Sequence, residues 1–208
     1  MMDEGPSIES PGEVTSPPRI ALWLAGLTTV VLFILLNAFK IQDVIARAAG
    51  YAGPTPMFKL DMTLNYTPDY CYGILSSYGE VGRKIYAVLL STLDALFPLL
   101  YGTFFFLLIR TVYRKLGVSR MLTSAVSALP LLATLFDWSE NIAFIRLMSL
   151  YPSRSDGLAR IANVLTLSKF GFFLAGVVGL LIGAAGFAFK RRLVEKRQGS
   201  RQSSASLT

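Results

Sequence analysis

The chain contains no histidine and one cysteine, Cys71. Without histidine, Ser-His-Asp and Cys-His catalysis, histidine-ligated haem and the usual zinc hydrolase centres are excluded within this chain. A lone cysteine can form neither an intramolecular disulfide nor a multi-cysteine zinc site. Charge is scarce too, at 16% of residues where soluble domains carry about 25%. No glycine-rich phosphate loop, dinucleotide fingerprint or internal repeat is present. The expectation is a chain without cofactor and without a metal site.

What remains is apolar. Hydrophobic residues make up 53% of the sequence and the mean hydropathy is +0.52. Four tracts are long enough to cross a hydrocarbon core of about 30 Å at 1.5 Å per residue: 20–39, 85–109, 121–150 and 161–189. The third carries Asp137, Glu140 and Arg146 and scores lowest by hydropathy. It still counts as a span, because omitting it would put two strongly basic segments on opposite sides of the membrane. The first tract is longer than a secretory h-region of about 7–15 residues and follows an acidic leader, so it reads as an uncleaved anchor. The expected fold class is all-α, a polytopic four-helix transmembrane bundle with a small external loop subdomain.

Orientation follows from the basic flanks, since Lys and Arg collect on the cytoplasmic side. The connection after the second tract holds Arg110, Arg114, Lys115 and Arg120 without an acid, and the tail 190–208 holds six basic residues against Glu195 alone. Both therefore face the cytoplasm. An even number of spans places the N-terminus there as well, giving a multi-pass protein expected in the bacterial inner membrane. The net charge of +7 belongs to these flanks, and no nucleic-acid module accompanies it. The lipid bilayer is the expected partner, not nucleic acid.

The tails are rich in Pro, Ser, Gly and charge and read as disordered: 1–19, and the last residues of the basic tail 190–208. The external loop 40–84 far exceeds an ordinary connection of about 4–6 residues. Within it, Met57 to Tyr66 alternates like a strand. Thr67 can cap a short helix that has Pro68 in its first turn and Asp69 at its positive end, and Gly79 can end it. Tyr70, Ile74 and Tyr78 recur at four-residue spacing and suggest one face of a small lid that lies on the bundle or the bilayer.

The polar groups inside the spans carry what chemistry there is. At about 100° per residue, Thr134, Asp137, Glu140 and Asn141 fall within a sector of roughly 120°, and Arg146 points the other way. On the second span Asp94 shares a face with Pro98 and Tyr101. Pro98 cannot donate to the Asp94 carbonyl, so a kink and a free acceptor are expected there. A charge near the bilayer centre costs at least ~2.5–3.5 kcal/mol, so the acids should turn inward towards Lys169 of the fourth span. Neutrality then leaves three carboxylates against one lysine, unless Lys40 or Arg83 dips in or some acids hold protons. Asp94, Tyr101, Asp137, Glu140, Asn141 and Lys169 form the candidate ligand-binding set, with no catalytic residue assigned. A stripe of Gly171, Ala175, Gly179 and Gly183 allows close helix approach, within the bundle or in a homo-oligomer.

The segments "LDALFPLLYG", "DWSEN" with its D-x-x-E-N motif in the third span, and "YTPDY…GEVGRK" resemble those of a group of uncharacterised small four-span membrane proteins from microbial genomes. The likeness covers roughly 60–189 and implies the bundle without an activity. A looser analogy joins it to four-span sterol-isomerase-type bundles, which use membrane-buried acids, although this chain lacks their histidine. Three functions stay open. The first is a non-enzymatic protein that binds a small amphiphile, lipid or ion at the buried acids and lysine. The second is a lipid-modifying or isomerase-like enzyme that uses the same carboxylates. The third is a structural or assembly subunit.

Overall fold

The computed structural model describes residues 19–37, 47 and 60–205, all of whose long elements are helices. Helix α1 spans Arg19–Asn37, a 3-10 turn spans Leu60–Met62, α2 spans Pro68–Ser77, α3 Gly79–Ser91, α4 Leu93–Leu116, α5 Arg120–Leu150 and α6 Asp156–Ala205. The tail 1–18, Lys40 and the 57–59 part of the expected strand lie outside the described residues. The remainder of that expected strand begins as the 3-10 turn, and no strand occurs among the described residues.

Among the described residues, three helical stretches are long and apolar enough to cross a membrane: Gly79–Leu116, Arg120–Leu150 and Asp156–Lys196. In α1 the apolar stretch Leu22–Ile34 is shorter. The second expected span is thus longer than its apolar tract and is broken between α3 and α4, at Thr92 (φ −120°, ψ −90°). This break falls ahead of Pro98, which sits inside α4. The tail expected to be disordered continues α6 as helix to Ala205. At 1.5 Å per residue this 50-residue helix is about 75 Å long, well beyond a hydrocarbon core of about 30 Å.

Helices α5 and α6 form the most extensive pair, followed by α4 with α5, while α1 rests mainly on α4. Small residues set these distances. A Cβ on Gly26 would lie 2.7 Å from the Phe104 ring, so α1 meets α4 at a glycine. On α6, a Cβ on Gly179 would lie 2.6 Å from Val126, and one on Gly183 would meet the Tyr113 ring. Gly176 packs on Pro130 in the same way. The expected stripe is therefore half right: Gly179 and Gly183 face helix neighbours, whereas Gly171 and Ala175 are exposed, and Gly171 has nothing within 4 Å. The packing face follows 176, 179 and 183 because helical neighbours recur at three as well as four residues. Gly179→Leu should cost about 1–3 kcal/mol through overpacking, and Gly171→Leu close to nothing. Thermal unfolding in detergent checks this, and equal losses would refute the assigned face.

The core lies at one end of the bundle, beneath the lid. Leu60, Tyr66, Cys71, Tyr72, Leu75 and Tyr78 from the loop pack on Tyr86 and Leu90 of α3, Phe144 and Leu147 of α5, and Ala159 and Ala162 of α6. Helix α2 forms as its sequence dictates: Thr67 Oγ1 accepts the Tyr70 N–H at 3.2 Å, and Pro68 opens the first turn. Gly79 takes a left-handed φ of +61° where the chain turns into α3. The buried face meets expectation fully only at Tyr78. It is Cys71, Leu75 and Tyr78, with Tyr72 beside them, while Tyr70 is exposed and Ile74 half-buried. Two overlapping four-residue series run through this stretch, and the tertiary core takes Cys71 and Leu75 from one and Tyr78 from the other.

Polar ties lock the lid to the α5–α6 connection. Arg154 pairs with Asp69 at 2.6 Å, Tyr72 Oη accepts from the Ser155 N–H, and Arg83 donates to the Leu75 carbonyl while its guanidinium lies over Tyr151. Arg83 is thereby occupied at the lid and does not reach the buried acids. Burial also pushes the Cys71 thiol up to about 11, so thiolate, the reactive form, is scarce at neutral pH. Cys71 should resist maleimide in the folded protein from either side of a membrane and react once it is unfolded. Rapid labelling at pH 7 would contradict the burial.

Candidate functional site

Burial and helical phase bring most of the expected set together. Thr134, Asp137, Glu140 and Asn141 are all buried on α5, and Arg146 on the opposite side is exposed. Helix α6 supplies Lys169, which is 6% exposed. Its ammonium is engaged on three sides. Glu140 Oε2 lies 2.5 Å away as a close ion pair, without a directed hydrogen bond. The ammonium donates to the Asp61 carbonyl at 2.9 Å and, at a longer 3.5 Å, to Asp137 Oδ1. Glu140 Oε1 accepts from Thr166 Oγ1, and Asp137 Oδ2 accepts from Tyr101 Oη at 3.1 Å.

Asp61 was missing from the sequence set. It is 4% exposed, and its Oδ1 accepts from Tyr86 Oη at 2.6 Å. The only sequence signal was an acid with apolar neighbours, "KLDM", inside a segment read as strand. Its 3-10 turn instead drops the residue over the end of the bundle, where both its carboxylate and its carbonyl meet helix side chains.

Asn141 serves another purpose. Its Nδ2 donates towards the Leu90 and Asp94 carbonyls, each at 3.5 Å. The second of these is the acceptor that Pro98 leaves open, so the expected orphan is met from the neighbouring helix. Trp138 Nε1 donates to the Ala95 carbonyl at 2.8 Å, and Thr134 Oγ1 reaches the Pro98 carbonyl at 2.8 Å. Side chains of α5 thus stitch the proline-opened stretch of α4, and a Cβ on Gly102 would run into Thr134. Asn141 and Thr134 belong to this seam, apart from the lysine cluster.

Beside the cluster lies a cavity of about 380 Å³, within the usual range for small-molecule sites. Asp61, Asp94, Asp137 and Lys169 supply its charged lining, with Tyr101 among them. Phe97, Phe104 and Phe105 of α4, Phe170 and Phe173 of α6, and Thr29, Val30 and Phe33 of α1 form much of the rest. Aromatic edges hold those walls in shape: Tyr101 meets Phe97 and Phe173 edge-on at 5.3 Å, and Phe105 meets Phe173 at 5.4 Å. Asp94 is half-buried at this cavity, whereas Glu140 stands behind Lys169 and does not line it. Among the described residues no three His, Cys, Asp or Glu side chains are placed to hold a metal ion. No family model, curated protein or solved structure matches this chain.

Proposed function

We propose that this protein is a four-span membrane protein that binds a small amphiphile, with the apolar part of the ligand in the phenylalanine-lined cavity and its polar end at Asp61, Asp94 and Asp137. The observation that carries the reading is the cavity itself: one wall of buried charge and several walls of aromatic side chains, joined in one space of about 380 Å³. Helix α1 supplies the first span and a wall of the site. The two basic segments meet at one end of the bundle, where Lys190 Nζ donates to the Leu116 carbonyl at 2.9 Å. That meeting supports a topology with both termini cytoplasmic and the lid outside. Native mass spectrometry of the detergent-purified protein should find a bound amphiphile. Thr29→Phe, which fills the cavity from α1, should abolish that adduct. An adduct equally abundant in the variant, or none in the wild type, would defeat the reading.

A specific observation also supports a structural role for part of the cluster. Lys169 is engaged on three sides, and Glu140 is fully buried. Lys169, Glu140 and Thr166 tie α5 to α6 and to the Asp61 turn, while Asp94 and Asp137 face the ligand space.

A further inference from the structure

We infer that the ligand's polar end is an ammonium group, so that the site takes a cationic amphiphile or the ammonium of a zwitterionic lipid; this rests on the cavity being a binding site.

The argument starts from which charges the cavity can offer. Among the described residues its lining holds three carboxylates, Asp61, Asp94 and Asp137, and a single cation, Lys169. That cation is already taken. Glu140 closes on it from behind the cavity, and the Asp61 carbonyl and Asp137 occupy its other sides. An anionic head entering here would find no uncommitted cation among the described residues and would stand against carboxylates, a repulsive like-charge arrangement. A neutral head would gain hydrogen bonds but leave the attraction of these carboxylates for positive charge unused. An ammonium answers it directly, and the enclosing faces suit it: phenylalanine and tyrosine rings attract a cation through their quadrupoles, most strongly where water is excluded. Phe97, Phe105 and Phe173 meet Tyr101 or one another edge-on, an arrangement that fixes the ring orientations around the charged end.

The contacts of Asp137 favour the same class. Its Oδ1 is only 3.5 Å from Lys169, at the long limit of a hydrogen bond, and Tyr101 holds Oδ2. It is thus positioned by α4 and α6 but not closed off by a short ion pair, in contrast to Glu140 at 2.5 Å. The cluster divides into an inner pair that neutralises itself and an outer carboxylate face turned to the cavity.

The test uses the full chain in dodecyl maltoside with four probes of equal tail length: decyltrimethylammonium, decylphosphocholine, decanol and decyl sulfate. Thermal stability is followed against probe concentration, since a ligand bound only by the folded state raises it by mass action. The ammonium probe should bind at least about ten-fold more tightly than decanol, and decyl sulfate should give no stabilisation, in line with a desolvated cation–π and carboxylate contact. A match between decylphosphocholine and the ammonium probe supports a choline-type lipid as the source. Much weaker binding of the phosphocholine supports a free cationic amphiphile, because its phosphate meets the carboxylates. Asp94→Asn and Phe105→Leu should each lower ammonium affinity by a larger factor than decanol affinity, and an equal loss for the two probes in both variants would count against the ammonium contact. Equal binding of ammonium and decanol, or preferred binding of decyl sulfate, would overturn the ammonium inference while leaving an amphiphile site in place. Silence from all four probes together with no native adduct would overturn the site as well.

Discussion

Lys169→Met is expected to destabilise the protein by about 3–5 kcal/mol, the usual cost of breaking a buried ion pair by removing one partner. The lysine is 6% exposed, and the Glu140 it leaves behind is fully buried. A second change, Glu140→Gln, should recover much of the loss because it removes the stranded charge while keeping an acceptor for Thr166 Oγ1. Asp137→Asn should recover less. Asp137 lies 3.5 Å from the ammonium where Glu140 lies 2.5 Å, and it also borders the cavity and accepts from Tyr101. The order of rescue, Glu140→Gln ahead of Asp137→Asn, is the diagnostic outcome of a double-mutant cycle read by unfolding in detergent. Strictly additive losses would mean that neither acid is coupled to Lys169.

Much of the fold was legible because its signals are local. Apolar length marked the helices, the Thr67-Pro68-Asp69 cap marked α2, and the 100° rotation per residue grouped the acids of α5 and turned Arg146 away. The break at Thr92 was not legible, since no proline or glycine stands there and the apolar tract runs on through it. Two further readings held only in part, for one reason. The buried face of α2 and the packing face of α6 each had a rival series one residue or one turn away, and only the neighbouring helices choose between them. At the site, Lys169, Asp137 and Glu140 could be paired in advance because an isolated charge in an apolar span needs a partner. Asp61 could not, because it comes from a loop whose 3-10 turn is set by the core it caps. Asn141 carried a polar signal whose purpose, capping the carbonyls around Pro98, depends on a second helix.

Phe144→Ala is expected to cost about 3–5 kcal/mol, the range for emptying a buried aromatic site. Phe144 is fully buried and lies near Tyr66 of the lid, with ring centroids 6.4 Å apart, in the same cluster as Leu60, Leu75 and Leu147. Leu181→Ala offers the contrast: this residue of α6 is 63% exposed and should lose little. The difference between the two locates the stability of the molecule at the lid end, where loop, α3, α5 and α6 share one core. The consequence reaches the site, because the Asp61 turn that receives Lys169 is anchored by Leu60 in that core. Phe144→Ala should therefore loosen the lid and weaken ligand binding together, whereas Leu181→Ala should change neither. Limited proteolysis between Leu60 and Ser77, run beside thermal unfolding, reads the loosening, and the native adduct reads the binding. Loss of stability without faster cleavage there would separate the lid from the core and break the link between Phe144 and the Asp61 turn.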